Sequence, residues 1–196
     1  MLRKAEIKRY TNETKIDLSL NIDGKGEYDN NTGCGFLNHM LDLFARHGRF
    51  DLKVRCAGDV EVDYHHTAED IGIVLGQAFK QALGDMKGIF RYGCFALPMD
   101  EALVLCAIDI SGRTFFNCDV QFLTEKVGEF DTELVCEFFW AFSRGLNATV
   151  HFKKFQGENS HHIAEAMFKG FGRVMNAATS IEELYRDEIP STKGVI

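Results

Sequence analysis

Proline is nearly absent from this 196-residue chain, where only Pro98 and Pro190 occur. No low-complexity stretch stands out either, so nothing marks a flexible linker between separate domains. The six cysteines (Cys34, Cys56, Cys94, Cys106, Cys118, Cys136) contain no C-x-x-C pair, which excludes the usual zinc-finger and thioredoxin spacings. Most lie in apolar runs, so reduced core thiols of a cytoplasmic protein are expected. There is no run of 18 apolar residues, and MLRKAEIKRY lacks the apolar core of a secretory leader. Positive charge is short too: 22 Lys and Arg face 29 Asp and Glu, for a net charge of −7. Binding to a phosphate backbone needs a concentrated positive field, so nucleic acid is disfavoured as a partner. Neither G-x-x-x-x-G-K-[ST] nor G-x-G-x-x-G is present, so nucleotides are not indicated.

What the chain does contain is a histidine–carboxylate cassette, twice. His65-His66-x-x-Glu69 and His161-His162-x-x-Glu165 stand 96 residues apart. In a helix the first His and the Glu of each copy are four apart and share a face. The second His is rotated from the first by about 100°. Adjacent imidazoles splayed in this way suit two separate ions better than one. Nitrogen and oxygen donors without thiolate favour a first-row divalent metal such as Mn, Fe, Co, Ni or Zn.

The order of elements is also duplicated. In the first half, strands are expected at about 3–10 and 15–22, where Ile16, Leu18, Leu20 and Ile22 alternate with polar residues. A turn-rich patch at 29–33 precedes a helix from about Gly35 to His47, with Gly48 as its stop. A strand near 52–56 leads to a cassette helix running to about Lys87. The second half expects strands at 93–99 and 102–110, extended chain at 113–120, a helix at 131–146, a strand at 149–155 and a cassette helix at 161–178. Shifted by 98, the stripe Leu37, Met40, Leu41, Phe44 matches Val135, Phe138, Phe139, Phe142, and His39 falls on Glu137. The expected fold is α+β: two duplicated halves, 1–92 and 93–196, each a small sheet with helices on one face, packed as one subunit. Of seven histidines, His47 and His151 are left over for structural or supporting roles. Arg91, Arg113, Lys169 and the tail Ser191-Thr192-Lys193-Gly194 offer fork donors, an ammonium and hydroxyls for an anionic ligand.

Several stretches together resemble the imidazoleglycerol-phosphate dehydratase family of histidine biosynthesis over essentially the whole chain. They are RYTNET from Arg9, TGCGFLNHMLDLFARHG from Thr32, GDVEVDYHHTAEDIGI from Gly58, RYG from Arg91 and PMDEAL from Pro98. They continue with DISGR from Asp109, FDTELVCEFF from Phe130, GENSHHIAEAMFKGFGR from Gly157 and STKG from Ser191. The resemblance implies a duplicated fold like the second domain of ribosomal protein S5. It implies a hydro-lyase with two Mn²⁺ per active site, and a homo-oligomer of 24 subunits with active sites at subunit interfaces. One ion would take His39, His66, His161 and Glu165; the other would take His65, Glu69, His162 and Glu137. Glu13 is implied as the substrate-contacting acid/base group, with Glu165 and His39 at the reacting centre. Arg91, Arg113, Lys169, Ser191, Thr192 and Lys193 would hold the phosphate.

Three positions depart from the family pattern. Glu137 stands where some relatives carry His, and favours harder ions. Asn38 precedes His39 where Asp is usual, which weakens an expected orienting contact. Tyr64 precedes His65 where Asp is also common. Rival readings are a metal-dependent hydrolase, an RNA-binding module suggested by the S5-like fold, and a metal-storage scaffold. Turnover of simple esters, a salt-dependent RNA shift, and metal binding without product would mark them respectively.

Overall fold

A computed structural model describes residues 3–196. The first half forms β1 (Lys4–Tyr10), β2 (Thr14–Asn21), β3 (Tyr28–Asn31), α1 (Gly35–Gly48), β4 (Asp51–Gly58) and α2 (His65–Leu83). The second forms β5 (Tyr92–Met99), β6 (Ala102–Asp109), β7 (Phe115–Asp119), a small hairpin of β8 (Lys126–Val127) and β9 (Phe130–Asp131), α3 (Glu133–Leu146), β10 (Thr149–Gln156) and α4 (Ser160–Thr179). One sheet runs β1-β2-β4-β3 and the other β5-β6-β10-β7. In each, only the last strand is parallel to its neighbour. The two sheets therefore have one topology, as the expected α+β duplication requires.

Alternation places Ile16, Leu18 and Leu20 of β2 on the buried face of its sheet. α1 and α2 cover the first sheet, while α3 and α4 cover the second; α2 then packs on α3 and α1 on α4. The helices thus form a double inner layer between two outer sheets. One phenylalanine from each helix meets at its centre: Phe44 lies 6.0 Å from Phe79 and 6.1 Å from Phe171, and Phe142 lies 5.7 Å from Phe79 and 5.1 Å from Phe171. Each such ring contributes about 2–3 kcal/mol by burial. The helix pairs approach backbone to backbone. A Cβ on Gly72 would lie 2.5 Å from the Phe138 carbonyl oxygen, and one on Gly172 would lie 2.6 Å from that of Phe44. Only glycine permits that approach.

Several local expectations are corrected. The patch at 29–33 is not all turn, since Tyr28–Asn31 is an edge strand parallel to β4. Ladder hydrogen bonds and the Arg55 guanidinium, which donates to the Asp29 carbonyl at 2.7 Å, override the turn preference of Asp and Asn. Gly48 does not stop α1; it is the last helical residue, and Arg49 takes the left-handed cap conformation at φ 58°. α2 ends at Leu83 rather than Lys87, because Gly84, Met86 and Gly88 all adopt positive φ. All six cysteines are unpaired, but only Cys34 and Cys106 are buried, and Cys94 is exposed.

Candidate metal centre

Both cassettes occupy the first turn of a helix, and local caps hold them there. Asn159 Oδ1 accepts from the backbone N–H groups of His161 at 2.9 Å and His162 at 3.3 Å. Asp63 Oδ1 accepts from the His65 N–H at 2.7 Å. Adjacent rings diverge as the helical rotation predicts. The ring planes of His65 and His66 stand at 87°, as do those of His161 and His162.

The first histidine of each cassette turns toward the preceding helix of the other half. His39 on α1 meets His161 and Glu165 on α4, and the three donor atoms lie within 4.8 Å of one another. Glu165 Oε1 lies 2.9 Å from His39 Nε2 and 3.1 Å from His161 Nε2, while Lys169 Nζ donates to Oε2 at 2.6 Å. Burial opposes ionisation of Glu165, but the Lys169 ammonium and the two imidazoles outweigh it and hold the carboxyl at about 2. Phe36 supports the site edge-on to His161 at 5.4 Å. In the other half, His65 and Glu69 of α2 meet Glu137 of α3, again within 4.8 Å. Arg144 donates to Glu69 at 2.5 Å and lies 3.8 Å from Glu137. Imidazole nitrogens and carboxylate oxygens converging without thiolate fit a first-row divalent ion.

The second histidines join neither trio. His66 Nδ1 lies 2.9 Å from Asp59 Oδ2, and His162 Nδ1 lies 2.7 Å from Glu101 Oε2. Those hydrogen bonds raise both imidazole pKa values, and His162 in turn holds Glu101 at about 2. A carboxylate on Nδ1 makes that nitrogen the donor and leaves Nε2 with its lone pair. His66 Nε2 lies 3.8 Å from the exposed carboxylate of Glu13. Each expected set of four is thus represented in one chain by three members.

The residues expected at the phosphate separate into two groups. Arg91 grips Asp109 through two hydrogen bonds, at 2.7 and 3.2 Å, and donates to the Pro190 carbonyl at 2.8 Å. Arg113 stands 4.0 Å from the same aspartate. The tail is therefore tied next to Ser191, Thr192 and Lys193, with Ser191 Oγ accepting from the Lys193 N–H at 3.2 Å. Lys169 is not in this group; it sits on Glu165. Asn38 stands apart from both groups. Its side-chain oxygen accepts from the N–H and hydroxyl of Thr32, both at 2.8 Å, closing the loop before α1 rather than orienting His39. Sequence reasoning missed Asp59, Glu101 and Arg144. Only the last carried a signal, being a cation about two helical turns beyond Glu137.

Fold and donor geometry together define a duplicated α+β protein with paired clusters of candidate metal ligands between its halves. The family model for imidazoleglycerol-phosphate dehydratase matches residues 32–175. The enzyme of that name from Xanthobacter autotrophicus is 54% identical, over 100% of this chain and 99% of its own length. Its namesake from Thermoanaerobacter pseudethanolicus is 56% identical, with 100% of both chains covered. The crystal structure of the Staphylococcus aureus dehydratase superposes with a TM-score of 0.83 at 40% identity, covering 91% of this chain and 99% of that one. The Pyrococcus furiosus enzyme, solved with (S)-C348, gives 0.84 at 38% identity over 97% and 100%. The chain belongs to the imidazoleglycerol-phosphate dehydratase family, hydro-lyases of histidine biosynthesis.

Proposed function

We propose that this protein removes water from imidazole glycerol phosphate, giving imidazole acetol phosphate, and that it needs two Mn²⁺ ions per active site. The observation carrying this reading is the pair of donor trios, His39–His161–Glu165 and His65–Glu69–Glu137. His66 and His162 would complete the sets from neighbouring protomers, the first with His39 and the second with His65. Each has its Nδ1 occupied by a carboxylate and belongs to neither trio of its own chain, which leaves Nε2 for a partner's ion. Four ligands per ion drawn from two chains fit a closed assembly of 24 subunits with interface active sites. Six unpaired thiols accord with a cytoplasmic setting.

When bound, the divalent ions supply Lewis acidity toward the substrate's azole ring. The chain supplies position and proton transfer. Arg91, Arg113, Ser191, Thr192 and Lys193 hold the phosphate, and Lys169, with N–H donors to spare beyond Glu165, adds a further contact. Holding both ends of the substrate fixes its central carbon. Glu13, exposed and next to His66, takes the proton from that carbon, and the hydroxyl on the adjacent carbon departs as water. The resulting enol takes up a proton on the carbon that lost the hydroxyl and releases its own O–H proton, giving the ketone with a net loss of one water. The test is metal analysis and a keto-product assay on one purified sample. Product formed after complete chelation, or two bound ions with no product from this substrate, would overturn the proposal.

A further inference from the structure

Ten arginines occur in the chain, and seven lie within 4.0 Å of an aspartate or glutamate. The other three, Arg46, Arg49 and Arg173, have no carboxylate partner among the described residues. All three line one cleft of about 440 Å³, together with Lys25, His47 and Gly24. Lys25 likewise has no carboxylate partner there. In a chain of net charge −7, four unpaired cations around one cavity are an unfavourable concentration unless something negative enters it.

Arg46 and His47 occupy the last turn of α1, where positive charge complements the helix dipole. That explanation does not reach Lys25 in the β2–β3 connection, Arg49 beyond the helix, or Arg173 within α4. Arg49 is the most telling of these. It holds φ 58°, a conformation that favours glycine or asparagine. The corresponding cap in the second half is Asn147 at φ 61°. The first half thus keeps a long guanidinium where the fold's own duplicate uses the ordinary residue. His47 responds to the same field: burial lowers its pKa first, and the charges of Lys169 and Arg173 lower it further, against a smaller opposing pull from Glu165.

We propose that this cleft binds a phosphate-type oxyanion, held by the forks of Arg46, Arg49 and Arg173 with Lys25 as a point charge. It shares no residue with the group around Asp109 assigned above to the substrate's phosphate, so it is a second anion site. His47, which lines the cleft, lies close enough to Lys169 and Glu165 to feel both charges.

The test is equilibrium dialysis of the assembled full-length protein with inorganic phosphate at fixed ionic strength, repeated with glycerol 3-phosphate to separate free phosphate from a monoester. Arg46→Gln/Arg49→Gln should lose one bound phosphate per chain, or on the order of 100-fold in affinity for it, as two charge-assisted hydrogen bonds disappear. Its unfolding temperature in phosphate-free buffer should not fall, because mutual repulsion is relieved. Arg91→Gln should keep the cleft phosphate. Unchanged phosphate binding in the double variant overturns the proposal, whether or not stability drops. Should that variant not fold, Arg173→Gln on the other helix must show the same loss, and its retention of phosphate overturns the proposal equally. Loss of all phosphate binding in Arg91→Gln alone would refute the second site while leaving the substrate assignment intact.

Discussion

Replacing Gly72 with alanine tests whether the helix crossing places the donors of one trio. The new Cβ would lie 2.5 Å from the Phe138 carbonyl oxygen and 2.9 Å from the Ala141 Cβ. Ordinary contact begins at 3.4 Å, so α2 and α3 must separate by about 0.9 Å. The obstacle is largely backbone and cannot rotate away. Overpacking of this kind costs about 1–3 kcal/mol, and the rigid neighbour puts Gly72→Ala at the upper end. Alanine's better helix propensity returns about 1 kcal/mol. The net loss of about 2 kcal/mol corresponds to a fall in Tm of about 4–8 °C at fixed protein and metal concentration. Gly72 lies one turn beyond Glu69, and Phe138 adjoins Glu137, so the shift opens the His65–Glu69–Glu137 trio. Metal sites tolerate ligand displacements of about 0.2 Å, so affinity there should fall on the order of 10–100-fold. The other trio lies on α1 and α4, whose crossing at Gly172 is untouched. Titration with Mn²⁺ followed by elemental analysis should therefore show one ion per chain weakened and one retained. Unchanged Tm with two equally tight ions would refute the reasoning, and equal loss of both would show that the trios are not positioned independently.

Glu13→Gln should retain two ions per subunit while turnover falls by about 10²–10⁴, as loss of a positioned acid/base group requires; unchanged turnover in a keto-product assay would remove Glu13 from the mechanism. His65→Ala with His162→Ala should lose metal and, with it, the full particle by sedimentation, and an intact metal-free 24-subunit assembly would contradict interface ions. Asp51 accepts from the N–H groups of Lys25 at 2.7 Å and Glu27 at 3.2 Å and from the Asn21 amide at 2.9 Å. Burial opposes its ionisation, but these donors prevail and lower its pKa below 3.8. Its stabilisation is therefore full above that value and lost as pH falls through the lower folded pKa. Asp51→Ala should cost about 2 kcal/mol at pH 7 by denaturant titration, with the gap closing below pH 3.8; a pH-independent gap would show another cause.

The amphipathic stripes and the doubled cassette were legible because they are local. A helix repeats every 3.6 residues and a strand every two, so an apolar face is written into the spacing of Leu37, Met40, Leu41 and Phe44. Helical rotation likewise separates His65 from His66 without knowledge of the fold. The edge strand at Tyr28–Asn31 was not legible, because its stability comes from pairing with β4 rather than from its own Asp and Asn residues. Nor were the carboxylates that set the second histidines. Asp59 reaches His66 from the turn after β4, whereas Glu101 reaches His162 from the β5–β6 turn, so even the duplication does not predict one from the other.

By itself, then, the sequence determined which residues can ligate, that they come in two sets, and that each pair of neighbouring imidazoles must diverge. Tertiary structure alone decided that each trio is assembled across the two halves, α1 with α4 and α2 with α3. It also gathered three unpaired arginines into one cleft. The reason is physical: backbone periodicity acts over a few residues, but convergence of donors depends on how closely glycine-lined helices approach, a distance set by the packing of the whole core.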